Sequence, residues 1–158
     1  MGKEIVIIAP HYDDDLIGNF EIMYNNETSI VFTENIDNER KQETYKLYDN
    51  FEIARLHYTH DIPYIYYDNK DIYQFYFPDP IYETHPDHRK WGNVGEQMLR
   101  RGFDIIFYSI NMNVPYIHKV DYPESKKEHL NKIYASQSSL WQFDHRYFLF
   151  EGRVKWLM

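Results

Sequence analysis

The hydrophobic pattern of the chain alternates between short apolar runs and stretches with helical spacing. The run at residues 5–8 contains only Ile and Val, which is typical of a strand buried on both faces of a parallel sheet. It predicts a first strand over residues 4–9. The same kind of run predicts further strands at residues 29–33, 62–67, 72–77 and 103–108, and a C-terminal hairpin from residues 147–150 and 153–156.

Helical spacing of apolar residues separates these predicted strands. It predicts helices that begin near residues 16, 38, 86 and 124 and end near residues 23, 56, 101 and 140. Asn35 or Asp37 is expected to cap the second helix, and His85 with Pro86 behind it to begin the third. Because helices and strands alternate, we expect an α/β three-layer domain with a mostly parallel central sheet over residues 1–158.

Composition narrows the classes of protein that remain. Of the 158 residues, 43% are hydrophobic and 27% are charged, which indicates a globular chain with a real core. The net charge of −8 argues against a nucleic-acid surface or an anionic membrane as partner. The absence of cysteine excludes disulfides and thiolate chemistry. No apolar run is long enough to span a bilayer, so we expect a cytoplasmic protein, and a homo-oligomer is compatible with the sequence.

A dense polar group follows the first predicted strand. His11, Asp13, Asp14 and Asp15 lie within five residues, at the edge of a parallel sheet where ligands usually bind. His11 and Asp14 are spaced to bind one cation from a tight turn. Alternatively, the carboxylates only cap the next helix.

A second polar group begins the third predicted helix, where His85, Asp87 and His88 follow one another closely. Read alone, it is a helix cap with an acidic residue that suits the helix dipole. Read with the first group, it predicts a three-ligand site made of His11, Asp14 and His88, with one position open for water. Two nitrogens, one carboxylate and an open position describe catalytic Zn²⁺, while Fe²⁺, Co²⁺ and Mn²⁺ remain alternatives.

Such a site predicts metal-assisted hydrolysis of an acyl group. Zinc lowers the pKa of bound water to about 7, so that hydroxide is available under mild conditions. Asp13, which is not needed as a ligand, is the expected general base and then acid. His85, as an imidazolium, is expected to stabilise the oxyanion.

Four motifs carry a family resemblance. Residues 10–15 (Pro-His-Tyr-Asp-Asp-Asp) and 84–89 (Thr-His-Pro-Asp-His-Arg) resemble the two metal-binding signatures of the LmbE-like (PIG-L) metal-dependent N-deacetylases. Residues 40–43 look like the family's RxxE motif, and residues 126–137 are similar to its K…SQ helix. The motifs occur in the family's order.

The resemblance implies a Rossmann-like fold and removal of the acetyl group from an amino sugar such as N-acetylglucosamine or its conjugate. It implies the same ligands and the same roles for Asp13 and His85, and it makes Arg40 a substrate-binding residue. Tyr82 is a further candidate for a substrate hydrogen bond at the rim, although a packed loop tyrosine is the simpler interpretation. Tyr12 departs from the family's usual proline.

Two other functions remain open at this point. The first is a metal-binding or sugar-binding pseudoenzyme without turnover, because the chain is short and has Asn19 and Phe20 where the family tends to have small glycines. The second is a phosphoesterase-type hydrolase with two metal ions, suggested by the three consecutive carboxylates at residues 13–15.

Overall fold

A computed structural model describes residues 2–34, 38–111 and 113–156. Its strands, in chain order, are β1 (Glu4–Ala9), β2 (Thr28–Phe32), β3 (Ile53–Tyr58), β4 (Tyr73–Pro78), β5 (Asp104–Ser109), β6 (Ile117–Lys119) and β7 (Phe150–Val154). Its helices are α1 (Asp14–Asn25), α2 (Asn38–Thr44), α3 (Leu47–Asn50), α4 (Tyr64–Tyr67), α5 (Pro86–Arg100), α6 (Pro123–Ile133) and α7 (Arg146–Leu149), with a 3₁₀ helix at Ala135–Leu140.

The seven strands form one sheet in the order β3-β2-β1-β4-β5-β7-β6. The first five strands in that order are parallel, and β7 runs antiparallel to both β5 and β6. The prediction of an α/β fold with a mostly parallel central sheet is therefore confirmed. The strand order reverses between β1 and β4, which makes their carboxyl ends the crevice where ligands bind in open α/β sheets.

Helices cover the sheet on both faces. Ile7 and Ala9 of β1 belong to a core formed with α1, α3, α6 and α7, whereas Val6 and Ile8 belong to a second core formed with α4 and α5. Successive side chains of a strand point to opposite faces, so an uninterrupted apolar run suits a strand buried on both. The sequence interpretation of β1 is confirmed.

Residues 38–67 differ from the sequence prediction. The helix expected over residues 38–56 ends at Thr44, is followed by the single turn α3, and gives way to β3. The strand expected at residues 62–67 is instead the short helix α4, entered through Pro63. β3 is an edge strand with several exposed positions, so it lacks the continuous apolar run that identifies a central strand.

The C-terminal part also differs. The helix predicted to reach residue 140 ends at Ile133 and continues as the 3₁₀ helix, and the short strand β6 was not predicted. The expected C-terminal hairpin is wrong, because residues 146–149 form α7 and β7 pairs with β5 and β6. The caps expected from Asn35 and Asp37 lie outside the described residues.

Helix α1 contains a break that a buried ion pair repairs. Asn19 has non-helical backbone angles. The Lys126 ammonium donates to the carbonyl of Ile17 at 2.7 Å and lies 2.9 Å from the Glu151 carboxylate, which accepts the backbone N–H of Phe20 at 2.9 Å. Lys126 is itself fully buried.

In the described part of the chain, no helix has the length and apolar character needed to cross a membrane.

Candidate metal centre

The two polar groups come together at the switch point of the sheet. His11 and Asp14 lie on the turn between β1 and α1, where the Asp14 N–H donates to the His11 carbonyl and the His11 N–H donates to the Asp14 carboxylate. His88 lies in the first turn of α5, which follows the loop after β4. Because β1 and β4 are adjacent and parallel, both segments leave the same edge of the sheet.

Three potential ligand atoms form a compact triangle. His11 Nδ1 lies 3.3 Å from both His88 Nε2 and Asp14 Oδ2, and His88 Nε2 lies 2.9 Å from Asp14 Oδ2. Asp14 and His88 are almost fully buried, while His11 is partly exposed. Among the described residues, His11, Asp14 and His88 form one of the groups that could hold a metal ion. The predicted ligands His11, Asp14 and His88 are therefore brought together.

A carboxylate stands behind each imidazole. Asp87 Oδ2 lies 2.8 Å from His11 Nε2, and Glu83 Oε2 lies 3.4 Å from His88 Nδ1. The Asp87 contact is a hydrogen bond that favours a proton on His11 Nε2 and leaves Nδ1 available to a cation, whereas Glu83 lies within ion-pair distance of His88 Nδ1 without a hydrogen bond to it. The sequence did not predict Glu83, because a spacing of five residues from His88 matches neither a helical face nor a tight turn.

The carboxylates around the triangle favour positive charge on its imidazoles. Burial would lower the pKa of His88, but Asp14 and Glu83 raise it to about 10. Burial would raise the pKa of Asp14, but His88 and His11 hold it well below its usual range. The carboxylates thus favour a positive charge at the triangle, which a bound metal ion would supply.

Asp13 lies in the same site without belonging to the triangle. It is buried, and its Oδ2 has no hydrogen-bond partner among the described residues. Burial and the nearby Asp14 raise the pKa of Asp13 to about 7, while Arg40 opposes the shift. A carboxyl group with a pKa near neutrality suits proton transfer in both directions.

Arg40 and Tyr12 form one side of this region. The Arg40 guanidinium carbon lies 5.9 Å from the centroid of the buried Tyr12 ring. The other end of the RxxE motif, Glu43, accepts the backbone N–H of Ser136 at 3.1 Å and also the Ser136 hydroxyl. The RxxE motif and the SQ end of the K…SQ motif thus contact each other directly.

His85 is the N-cap of α5. Its Nδ1 accepts the backbone N–H of Asp87 at 3.1 Å, and its ring lies 4.7 Å from the His11 ring and 5.4 Å from the His88 ring, between centroids. A nitrogen that accepts this bond carries no proton, so the ring presents an N–H at Nε2. The predicted role of His85 in stabilising an oxyanion stays a prediction.

Asp15 and Tyr82 have other roles. The Tyr134 hydroxyl lies 2.9 Å from both carboxylate oxygens of the buried Asp15, which packs behind the turn. The Tyr82 ring packs against Tyr116, at 5.7 Å between centroids. No described contact joins Tyr82 to the triangle, so its part in substrate binding stays a prediction.

Comparisons with known proteins add no identity. The chain matches no protein-family model, and it has no significant match among curated proteins or among solved structures.

Proposed function

We propose that this protein is a zinc-dependent N-deacetylase that removes the acetyl group from an amino sugar or its conjugate. The triangle of His11 Nδ1, Asp14 Oδ2 and His88 Nε2 carries this proposal, because its sides of 2.9 to 3.3 Å suit one ion. Ligands at about 2.0–2.2 Å around a tetrahedral zinc ion stand about 3.3–3.6 Å apart. Two nitrogens and one oxygen leave a fourth position, as in catalytic rather than structural zinc sites.

The residues around the triangle have the chemistry that amide hydrolysis needs. A divalent ion held by His11, Asp14 and His88 would supply Lewis acidity that makes water easier to deprotonate near neutral pH. Asp13 takes a proton from the attacking water and delivers it to the nitrogen of the amine that leaves. His85 donates its Nε2–H to the acyl oxygen as negative charge develops on it. Water and the N-acetyl amide are thereby converted into acetate and the free amine.

The substrate assignment comes from the resemblance of four motifs to the LmbE-like family. The contact between Glu43 and Ser136 supports it, because it joins two motifs that lie 93 residues apart. The arrangement favours a one-metal over a two-metal hydrolase, since Asp15 is bound by Tyr134 rather than facing the triangle.

Replacement of Asp13 tests the proposal. Asp13→Asn preserves size and leaves the three ligands in place, so we expect about one zinc per chain and a loss of acetate release of at least about 100-fold. The measurements are metal analysis and acetate assays on a panel of N-acetyl sugars. The matched control is Asp68→Asn, an exposed turn residue, which should retain full activity.

Two results would count against the assignment. Normal turnover by Asp13→Asn would remove Asp13 as the base. Stoichiometric zinc without acetate release from any N-acetyl sugar, in the unmodified protein, would favour the pseudoenzyme.

A further inference from the structure

The segment between β4 and α5 is fixed by a fully buried carboxylate. Asp79, the first residue after β4, accepts the backbone N–H groups of Ile81 and Tyr82 on Oδ1, at 2.6 and 2.8 Å. Its Oδ2 accepts the hydroxyl of Tyr116. A buried carboxylate is costly without partners, so these three bonds determine where the segment can lie. The proposed deacetylase mechanism uses neither Asp79 nor Tyr116.

Tyr116 reaches this carboxylate from a distant part of the chain. It lies 37 residues after Asp79, directly before β6, and its ring lies edge-to-face with the rings of Tyr82 and Trp156. Burial and the hydrogen bond to Asp79 raise the pKa of the Tyr116 hydroxyl far above its usual value, so the hydroxyl stays a neutral donor. The bond therefore ties the segment after β4 to the β6 end of the sheet.

Helix α5 rests directly on the same segment. Gly92 follows His88 by four residues, so both lie on one face of the helix, and both are buried. A Cβ atom at Gly92 would lie 2.7 Å from the Pro78 carbonyl oxygen and 2.7 Å from the Cα and N atoms of Pro80. All of these are backbone atoms, which cannot move aside as a flexible side chain does. The segment that Asp79 fixes therefore sets the height of α5 over the sheet.

We propose that this support positions His88 for the metal centre. Asp79, Tyr116 and Gly92 form the support, and none of the contacts described for them reaches the triangle of ligand atoms. They act through the placement of α5, which brings the His88 imidazole within reach of the other two ligands. This inference rests on the proposed function, because it takes the triangle to be a metal site.

Binding of Co²⁺ tests the proposal, because the visible spectrum of this ion reports its coordination geometry. The variants are Gly92→Ala, whose Cβ must displace α5 or the segment below it, and Tyr116→Phe, which keeps the ring and removes only the hydroxyl. We expect each variant to weaken zinc binding about tenfold or more, measured by competition with a chelating dye. We also expect each to change the Co²⁺ spectrum.

Two variants of the same helix are the matched controls. Asn93→Ala replaces the exposed neighbour of Gly92 and should change neither metal binding nor Tm. Met98→Ala removes a buried side chain near the far end of α5. It should lower Tm and leave the Co²⁺ spectrum unchanged, which separates a helix that is only destabilised from one that is displaced.

An unchanged zinc affinity and Co²⁺ spectrum in Gly92→Ala or in Tyr116→Phe would overturn the proposal. A spectral change of the same size in Met98→Ala would also overturn it. Acetate release by the unmodified protein is measured separately. Metal binding that responds to these variants without acetate release would contradict the deacetylase function and leave the positioning role standing, whereas no metal binding by the unmodified protein would contradict both.

Discussion

At the residue scale, the orientation of the two imidazoles depends on the oxygens behind them. Asp87 contacts His11 and Glu83 contacts His88, each on the nitrogen that faces away from Asp14. Glu83 is buried and also accepts the backbone N–H of Ile110 at 2.6 Å. This second bond fixes its carboxylate and therefore the ring that it contacts.

Glu83→Gln tests this role in metal binding. The amide oxygen of Gln can still accept the Ile110 N–H, but the negative charge beside His88 is lost. We expect zinc affinity, measured by competition with a chelating dye, to fall about 10- to 100-fold.

Glu34→Gln is the matched control, because Glu34 also binds α5, through Lys90 and Trp91, but does not contact a predicted ligand. Its zinc affinity should stay within about twofold of the unmodified value. A zinc affinity of Glu83→Gln equal to that of the unmodified protein would mean that Glu83 only stabilises the loop before α5.

The sequence indicated the ligand types but not their environment. The choice of His11, Asp14 and His88 as candidate ligands follows from residue type and spacing. Each lies in a short motif whose polar residues are within one turn of one another. Glu83 and the raised pKa of Asp13 depend on burial and on neighbours distant in the chain. No local pattern carries that information.

At the element scale, α1 depends on two residues from the C-terminal third of the chain. The Lys126 ammonium donates a hydrogen bond to the Ile17 carbonyl. The Glu151 carboxylate accepts the N–H groups of Phe20 and Glu21, which the break at Asn19 leaves without a helical partner. The pair therefore replaces backbone hydrogen bonds that a continuous helix would make itself. Since α1 begins at Asp14, this repair also supports the turn that carries the predicted ligands.

Lys126→Met tests the buried pair. It leaves Glu151 charged and buried with Arg153 as its remaining ion-pair partner, so we expect a loss of about 3 kcal/mol in the free energy of unfolding. Urea unfolding measures this loss.

The neighbouring Lys127 is exposed, and Lys127→Met should change the free energy of unfolding by no more than about 0.5 kcal/mol. The double variant Lys126→Met, Glu151→Gln should recover part of the loss. Similar stability for Lys126→Met and Lys127→Met would show that the pair contributes little.

The local sequence pattern predicted those elements well whose own residues carry a strong signal. Strand β1, with its continuous apolar run, and helix α5, with Pro86 at its start and Gly102 at a φ of 90° after its end, follow from sequence. Residues 53–56 were predicted as the end of a helix and residues 64–67 as a strand. Arg55 and His57 interrupt the apolar run of β3, whereas the Tyr-Ile-Tyr-Tyr run of α4 consists of residues that favour strands. Their partners, β2 for the strand and the second core for the helix, decided the outcome.

At the scale of the whole molecule, the site exists because the chain crosses from β3 at the edge of the sheet to β4 beside β1. That crossing brings His11 and His88 together although they lie 77 residues apart. A metal ion that binds both would link the two halves of the sheet. It would bind the folded chain and not the unfolded one, in which these residues are far apart.

Metal removal should therefore lower thermal stability. Zinc at about 100 times its Kd is expected to add about 2.7 kcal/mol, which corresponds to a rise in Tm of roughly 5 to 11 °C for a chain of this length. Thermal unfolding with zinc and with a chelator measures the difference.

His88→Asn should abolish the zinc-dependent rise, whereas His60→Gln should retain it, because His60 contacts the Thr33 carbonyl away from the triangle. A rise that persists in His88→Asn would place the stabilising ion elsewhere.

The sequence by itself determined the α/β class, the central strand β1, the cap of α5 and the residue types of the candidate site, since these depend on neighbours within a few positions. Tertiary structure decided the strand order, the buried Lys126–Glu151 pair and the position of the Glu83 carboxylate beside His88. Each of these joins segments far apart in the chain, and such contacts arise from packing of the whole sheet and its helices rather than from local preference.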